Sequence, residues 1–381
     1  MPPTPHNTPQ YRRINSIDAL RGFDMLMLCG GATLLLAFST WYTQGTPNPL
    51  LLKQLTHAEF GAGFTAWDLV MPLFIFIVGA GMPFAFEKYR QKGGKWWRVS
   101  TSLRMVRRIA LLFILGMVVQ GNLCSANTEH MSLFCNTLQA IAEGYLIAGI
   151  IMMCGGIRTQ IAACCTLLVL YWALLRFVPY SGNPGGLFLP DNNMAIFIDH
   201  KLQGHWQDGT PYTWILTSLS FGALTLLGVL GGQVIRLIQR PLKSVGILSA
   251  LATGCLLLGY LLSFDTPINK HLFTSSMVLW AGGWCFGLLL IFHLAFDCTG
   301  KLNGLSFPLR VIGSNAILAY MLTETPGLEG SVWNSLCSPL FSAYARTFEP
   351  HTAALIYNGL CLLLLWLFLY FLHRHRAYLR V

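Results

Sequence analysis

The sequence predicts an all-α fold, a polytopic integral membrane bundle of about ten transmembrane helices, and three observations carry that prediction. Of 381 residues, 54% are hydrophobic and only 10% charged, with a mean hydropathy of +0.55; one soluble core cannot enclose so much apolar surface. Several uninterrupted apolar runs approach the length that crosses a bilayer as a helix. These runs are rich in Leu, Ile and Gly and lack the alternation of barrel strands, and in lipid only helices and closed barrels satisfy their own backbone.

Taken in order, residues 1–15 read as a polar, Pro-rich, disordered cytoplasmic tail, 16–373 as the transmembrane domain and 374–381 as a basic cytoplasmic tail. The first span, 17–38, carries Asp18, Arg21 and Asp24, which a cleavable signal peptide would not. The second, 65–86, has Asp68 near its start, and the third, 103–121, opens on Arg104, Arg107 and Arg108. The fourth, 133–153, contains Glu143, whereas 159–178, 214–235, 245–263 and 273–296 are long apolar runs. The ninth, 309–324, is short with Arg310 near its start, and 353–372 completes the set.

With the N-terminus cytoplasmic, every Lys and Arg except Lys53, Arg176, Lys201, Lys270 and Arg346 falls in inner loops or inner helix ends, the asymmetry of the positive-inside rule. The net charge of +10 then follows from topology and implies no nucleic-acid partner. The outward segments are the loop of His57, residues 124–135, 179–213, 265–271 and 325–351. They are long, irregular and aromatic-rich, as segments holding a binding site tend to be.

Most of the eleven cysteines lie in apolar spans as small hydrophobes. Cys124 and Cys135 share one outer loop, where a disulfide and two packed thiols are both compatible with the sequence. No Cys or His spacing resembles a metal site, and no metal is expected.

Each charge inside a span costs about 2.5 to 3.5 kcal/mol unless paired or hydrated. Asp18, Arg21 and Asp24 recur every three residues near one helix face, as a polar cluster that either anchors the helix or serves function. Asp68 lies eleven residues after His57. It can orient that ring by accepting its N–H, or cap its own helix. Six histidines project outward: His57, His130, His200, His205, His271 and His351. His57 is singled out by Asp68 and by Gly61 and Gly63, which let backbone approach a ligand.

Several blocks together carry a resemblance: SIDALRGFDM at 16–25, HAEFGAGFTAWDLVMPLFIFIVG at 57–79, LQAIAEGYLIA at 138–148, LLGVLGG at 226–232, PINKHLFTSSMVLWAGGW at 267–284 and LRVIGSNAILAY at 309–320. In this order, over almost the whole chain, they resemble the heparan-alpha-glucosaminide N-acetyltransferase family and its bacterial homologues. The resemblance implies a bacterial inner-membrane enzyme, and the placement of Lys and Arg puts both termini in the cytoplasm. It implies acetyl-CoA as co-substrate, an extracytoplasmic amino sugar or glycan as acceptor, and a homodimer. His57 stands at the family's active histidine, which acts either as acetyl carrier or as base. The family's asparagine in the first helix falls near Ala32 here, and its arginine after Leu-Gln is Ala140, with Glu143 as an added acid.

The residues make that chemistry sensible. An amine attacking a thioester needs a base that titrates near neutrality, supplied by His57 with Asp68. It also needs a partner for the developing oxyanion, for which Asn315 is the candidate beside an ordinary helix-to-helix role. Arg104, Arg107 and Arg108 can take the phosphates of acetyl-CoA or simply face lipid headgroups. Lys270, Ser275, Trp280 and Trp284 suit the acceptor sugar, although Trp at a helix end also reads as an interfacial belt. Gly228 and Gly232 permit close helix packing, within one bundle or between two. A transporter or flippase without acyl chemistry is the alternative, and no inverted repeat is visible to support it.

Overall fold

The computed structural model describes residues 14–90, 99–121, 123, 131–238, 240–300, 302–327, 330–345 and 347–379. Among them the elements are helical, with isolated bridges only. The first span, Asn15–Tyr42, is α1 (Asn15–Leu26) and α2 (Ala32–Tyr42) joined through a π-helical break, Met27–Gly31. There Gly30 takes φ +129, a conformation that side chains with a Cβ rarely adopt. A short α3 (Pro49–Gln54) and the His57 loop lead to a 3-10 turn, Trp67–Leu69, and α4 (Val70–Arg90). Then come α5 (Val99–Val119), α6 (Thr137–Cys154), α7 (Ile157–Phe177), the short α8 (Met194–Gln203), α9 (Ser218–Leu237), α10 (Pro241–Leu262) and α11 (Ser275–Phe292). The chain ends with α12 (Asn303–Ser314), α13 (Ala316–Glu324), α14 (Val332–Ala345) and α15 (Pro350–Arg374).

Eight helices among the described residues are long and apolar enough to cross a bilayer, and nine do so if α12 and α13, bent by 64° at Asn315, form one broken span. The sequence reading of about ten included the third run, now α5. That helix is 21 residues long but carries Arg104, Arg107 and Arg108 in its first half. Helix α14 was not anticipated. Starts moved where a polar group takes the first backbone donors. The fourth span begins at Thr137 because the Asn136 side chain accepts from the Leu138 amide. The eighth begins at Ser275 because Thr274 accepts from Met277. The sixth begins at Ser218 because the Trp214 and Ile215 amides donate to Asp199.

Helices α4, α6, α9 and α11 form the centre, with α10 and α15 at the periphery. The α4–α9 contact is made backbone to backbone. A Cβ on Gly79 would meet the Thr225 carbonyl at 2.0 Å, and Cβ atoms on Gly228 and Gly232 would meet those of Phe76 and Ala80 at 2.0 and 2.2 Å. The close packing read from Gly228 and Gly232 therefore lies within the bundle and gives no support to a dimer. The start of α1 and the end of α15 lie at one pole: Arg310 donates to the Asn15 side chain at 2.8 Å, and Ser314 Oγ is 3.1 Å from His373 Nδ1. The His57 loop, the α8–α9 segment and the α10–α11 loop converge at the other.

Candidate active site

Asp68 is the hub of that second pole. It is 1% exposed, on the turn that opens the second span. Its Oδ2 accepts from the Ala58 amide (3.2 Å), the Thr65 amide (3.2 Å) and the Thr65 hydroxyl (3.1 Å). These bonds fasten the start of the His57 loop to the helix. Its Oδ1 lies 2.9 Å from His57 Nδ1 and 3.4 Å from Lys270 Nζ. Lys270 is itself 2.9 Å from His57 Nδ1. One ring nitrogen cannot donate to a carboxylate and accept from an ammonium at once, so two proton arrangements share this geometry. The His57 side chain stays 49% exposed, against 8% for Lys270, and its Nε2 has no partner among the described residues. Gly61 and Gly63 have φ +73 and +106 with open space around them; the loop needs them for backbone conformation.

Burial draws the Lys270 pKa below the ordinary lysine value, and Asp68 opposes it. Neighbouring His271 is lowered too, first by burial and then by Lys270. It packs against Tyr212 with ring centroids 4.5 Å apart. On the α8 side, burial pushes Asp199 up to about 6 against the two amides that it accepts from, and raises Asp208 as well.

His57 and Lys270 line a cavity of about 330 Å³ together with Trp67, Tyr212, Asp208 and Glu324. This cavity shares Phe74, Thr137 and Tyr320 with a second of about 460 Å³, and the second shares Arg21, Gly81, Gly313, Ser314 and Leu379 with a third of about 570 Å³. Arg21 and Arg108 both face the second, whose described lining holds no carboxylate, and Arg310 faces the third. Arg108 also stacks over Tyr145 at 4.5 Å and keeps a buried Nε without a hydrogen bond. A row of cavities thus runs from the imidazole to a pole rich in arginine.

Other anticipated residues fall elsewhere. Asn315 is fully engaged at the opposite pole, donating to the Ala377 carbonyl at 3.1 Å and accepting from the Leu379 amide at 3.0 Å; it pins the C-terminal segment and lines none of these cavities. Arg104 and Arg107 are exposed on the outside of α5, so only Arg108 of the three reaches the cavities. Ser275 donates to the Leu168 carbonyl at 2.8 Å and is buried. Trp280 and Trp284 pack against each other, and Trp284 is exposed on the far side of α11. Lys270, expected at the acceptor, sits in the histidine group instead. Asp18 pairs with Arg21 at 3.7 Å, but Asp24 is buried apart from them with an unbonded Oδ2; six residues of helix turn it about 120° from Asp18. The question of a Cys124–Cys135 disulfide lies outside the described residues with Cys124, as does His130. Among the described residues no His, Cys, Asp and Glu cluster has metal-site geometry. Reading the sequence missed Asp208, Glu324, Trp67, Tyr212 and Trp214; only Trp67, beside Asp68, carried a local signal.

Residues 13–200 match the family described as a domain of unknown function, DUF5009. Heparan-alpha-glucosaminide N-acetyltransferase of Mus musculus is 23% identical over 371 residues, covering 81% of this chain and 53% of that protein. Its Homo sapiens counterpart is also 23% identical over 371 residues, covering 81% of this chain and 52% of that protein. The chain spans about half the length of the curated relatives it matches. The similarity supports the family relationship read from the sequence blocks.

Proposed function

We propose that this protein is a transmembrane N-acetyltransferase that moves an acetyl group from acetyl-CoA, entering at the arginine pole, to the amine of a sugar or glycan at the His57 pole. The observation that carries this reading is the row of cavities joining an imidazole with a free Nε2 to a cation-lined space about 20 Å away along α4, the distance from Asp68 to Gly81. Arg21, Arg108 and Arg310 take the phosphates of acetyl-CoA, and the orphaned Nε of Arg108 suits an anion. By the positive-inside reading of the sequence the arginine pole is cytoplasmic.

In the working state His57 Nδ1–H donates to Asp68, Lys270 stays on Asp68, and the Nε2 lone pair faces the cavity. That lone pair serves either of two routes. It attacks the thioester carbon, forming C–N as C–S breaks and CoA leaves as thiolate, and the amine then displaces the imidazole. Otherwise it takes the proton from the amine as the amine attacks directly. Lys270 replaces Asn315 as the group assigned to the negative charge on the carbonyl oxygen.

The test is release of free CoA by purified protein in detergent, with and without an amino-sugar acceptor. Acceptor-dependent release, or acetylation of the protein itself, is expected, and both are lost in His57→Ala. Full turnover by His57→Ala removes His57 from the reaction.

A further inference from the structure

Beside the His57 cavity lies a larger one, of about 790 Å³, lined by residues of the Met27–Gly31 break, α2, α13, α14 and α15. Leu28 and Glu324 line both cavities. The larger one is unusually polar for a space among apolar helices: Thr33, Ser331, Ser338, Asn334 and Asn358 face it, with Trp333 beside them. Asp68 contacts the imidazole and Asp208 and Glu324 line its cavity; two of these three carboxylates are already engaged. Asp68 holds His57 and Lys270, and Asp208 accepts from the Thr210 amide at 3.0 Å and the Trp214 indole at 3.3 Å. The Glu324 carboxylate has no hydrogen-bond or ion-pair partner among the described residues. Glu324 is exposed at the C-terminal end of α13, so its carboxylate is open to a ligand that enters either cavity.

We infer that Glu324 binds the ammonium of the acceptor, and that the 790 Å³ cavity holds the hydroxylated body of an amine-bearing saccharide while its nitrogen turns toward His57. The inference rests on the acetyl-transfer reading and deepens it. Hydroxyl and amide side chains match sugar hydroxyls, the indole offers an apolar face, and the single unpaired carboxylate selects an amine over a neutral sugar.

Equilibrium binding to the full chain in detergent tests this, with glucosamine and its uncharged counterpart N-acetylglucosamine as probes and acetyl-CoA binding as the check on folding. The wild-type protein is expected to prefer glucosamine by about tenfold or more, a preference that Glu324→Gln erases and Glu324→Asp weakens. Ser338→Trp, which fills the larger cavity, is expected to weaken glucosamine binding by a similar factor. Survival of the preference in Glu324→Gln, or wild-type glucosamine affinity in Ser338→Trp, overturns the inference. Either variant suffices if the other does not fold. Glucosamine binding that depends on Glu324, without CoA release that depends on His57, removes the acetyl-transfer reading alone. The opposite pair of results removes this inference alone.

Discussion

At His57 a half-exposed ring is held by a buried carboxylate and a buried ammonium, so each partner has a separable effect. Asp68→Asn replaces the carboxylate that fixes Nδ1–H with a neutral amide that can present N–H instead, and leaves Lys270 without its counter-charge; turnover is expected to fall about 100-fold or more, measured as initial rates of CoA release. In the proposed reaction Lys270 acts through its charge. Because burial lowers its pKa, that charge is lost at a lower pH than in an ordinary lysine. Activity should therefore decline on the alkaline side, and Lys270→Arg, whose guanidinium stays charged, should shift that decline to higher pH. An alkaline limb that does not move in Lys270→Arg would exclude the lysine as its source. The His57–Asp68 contact was legible because eleven residues of loop join a ring to a helix mouth. Lys270, 213 residues from His57 along the chain, could be noticed but not placed. Asn315 misled because an amide in an apolar span reads alike whether it meets an oxyanion or the chain's own backbone.

Glycine spacing is the clearest case of an element read correctly without its partner. Gly228 and Gly232 announced close packing, but only the fold shows that their neighbours are the carbonyls of Phe76 and Ala80. Gly228→Ala is expected to destabilise by about 1–3 kcal/mol or more, since backbone must shift to admit the methyl, whereas Gly246→Ala on the peripheral α10, with nothing within 4 Å, should be neutral or better. Thermal midpoints in detergent compare the two. On α8, burial raises the Asp199 carboxyl from its ordinary value of 3.8 to about 6, so the folded protein holds that proton up to about pH 6. The stability from this group is complete below the unfolded value and is lost as pH rises through about 6. The thermal midpoint should fall over that window in the wild type and fall less in Asp199→Asn; parallel curves would contradict this. The tie of Ser244 Oγ to His293 Nε2 at 3.0 Å and of His293 Nδ1 to Asp297 at 3.1 Å joins α10 to the π-turn after α11. Ser244 is 1% exposed and lines none of the cavities described, so this chain of bonds fastens helices.

Across the whole molecule, apolar runs and the placement of basic residues foretell a bundle with two unlike poles, because bilayer thickness and topology act on composition alone. They do not foretell which helices enclose the row of cavities, since that depends on the 64° bend at Asn315 and the break at Gly30, nor the larger cavity beside it, which the unanticipated α14 helps to line. Acyl transfer and transport would use this row differently. A transferase passes an acetyl group while CoA stays on its own side; a carrier moves its whole substrate. Gly81 lines both cavities at the arginine pole, and a Cβ there meets nothing closer than an Arg21 nitrogen at 3.7 Å, so a larger side chain grows into the passage without displacing the backbone. In sealed vesicles with acetyl-CoA at the arginine pole and glucosamine at the other, free CoA should accumulate with the first and N-acetylglucosamine with the second. Gly81→Phe should abolish both products while glucosamine binding persists. Glucosamine crossing the vesicle unmodified, or Gly81→Phe turning over at the wild-type rate, would show that the cavities are not the path of the acetyl group.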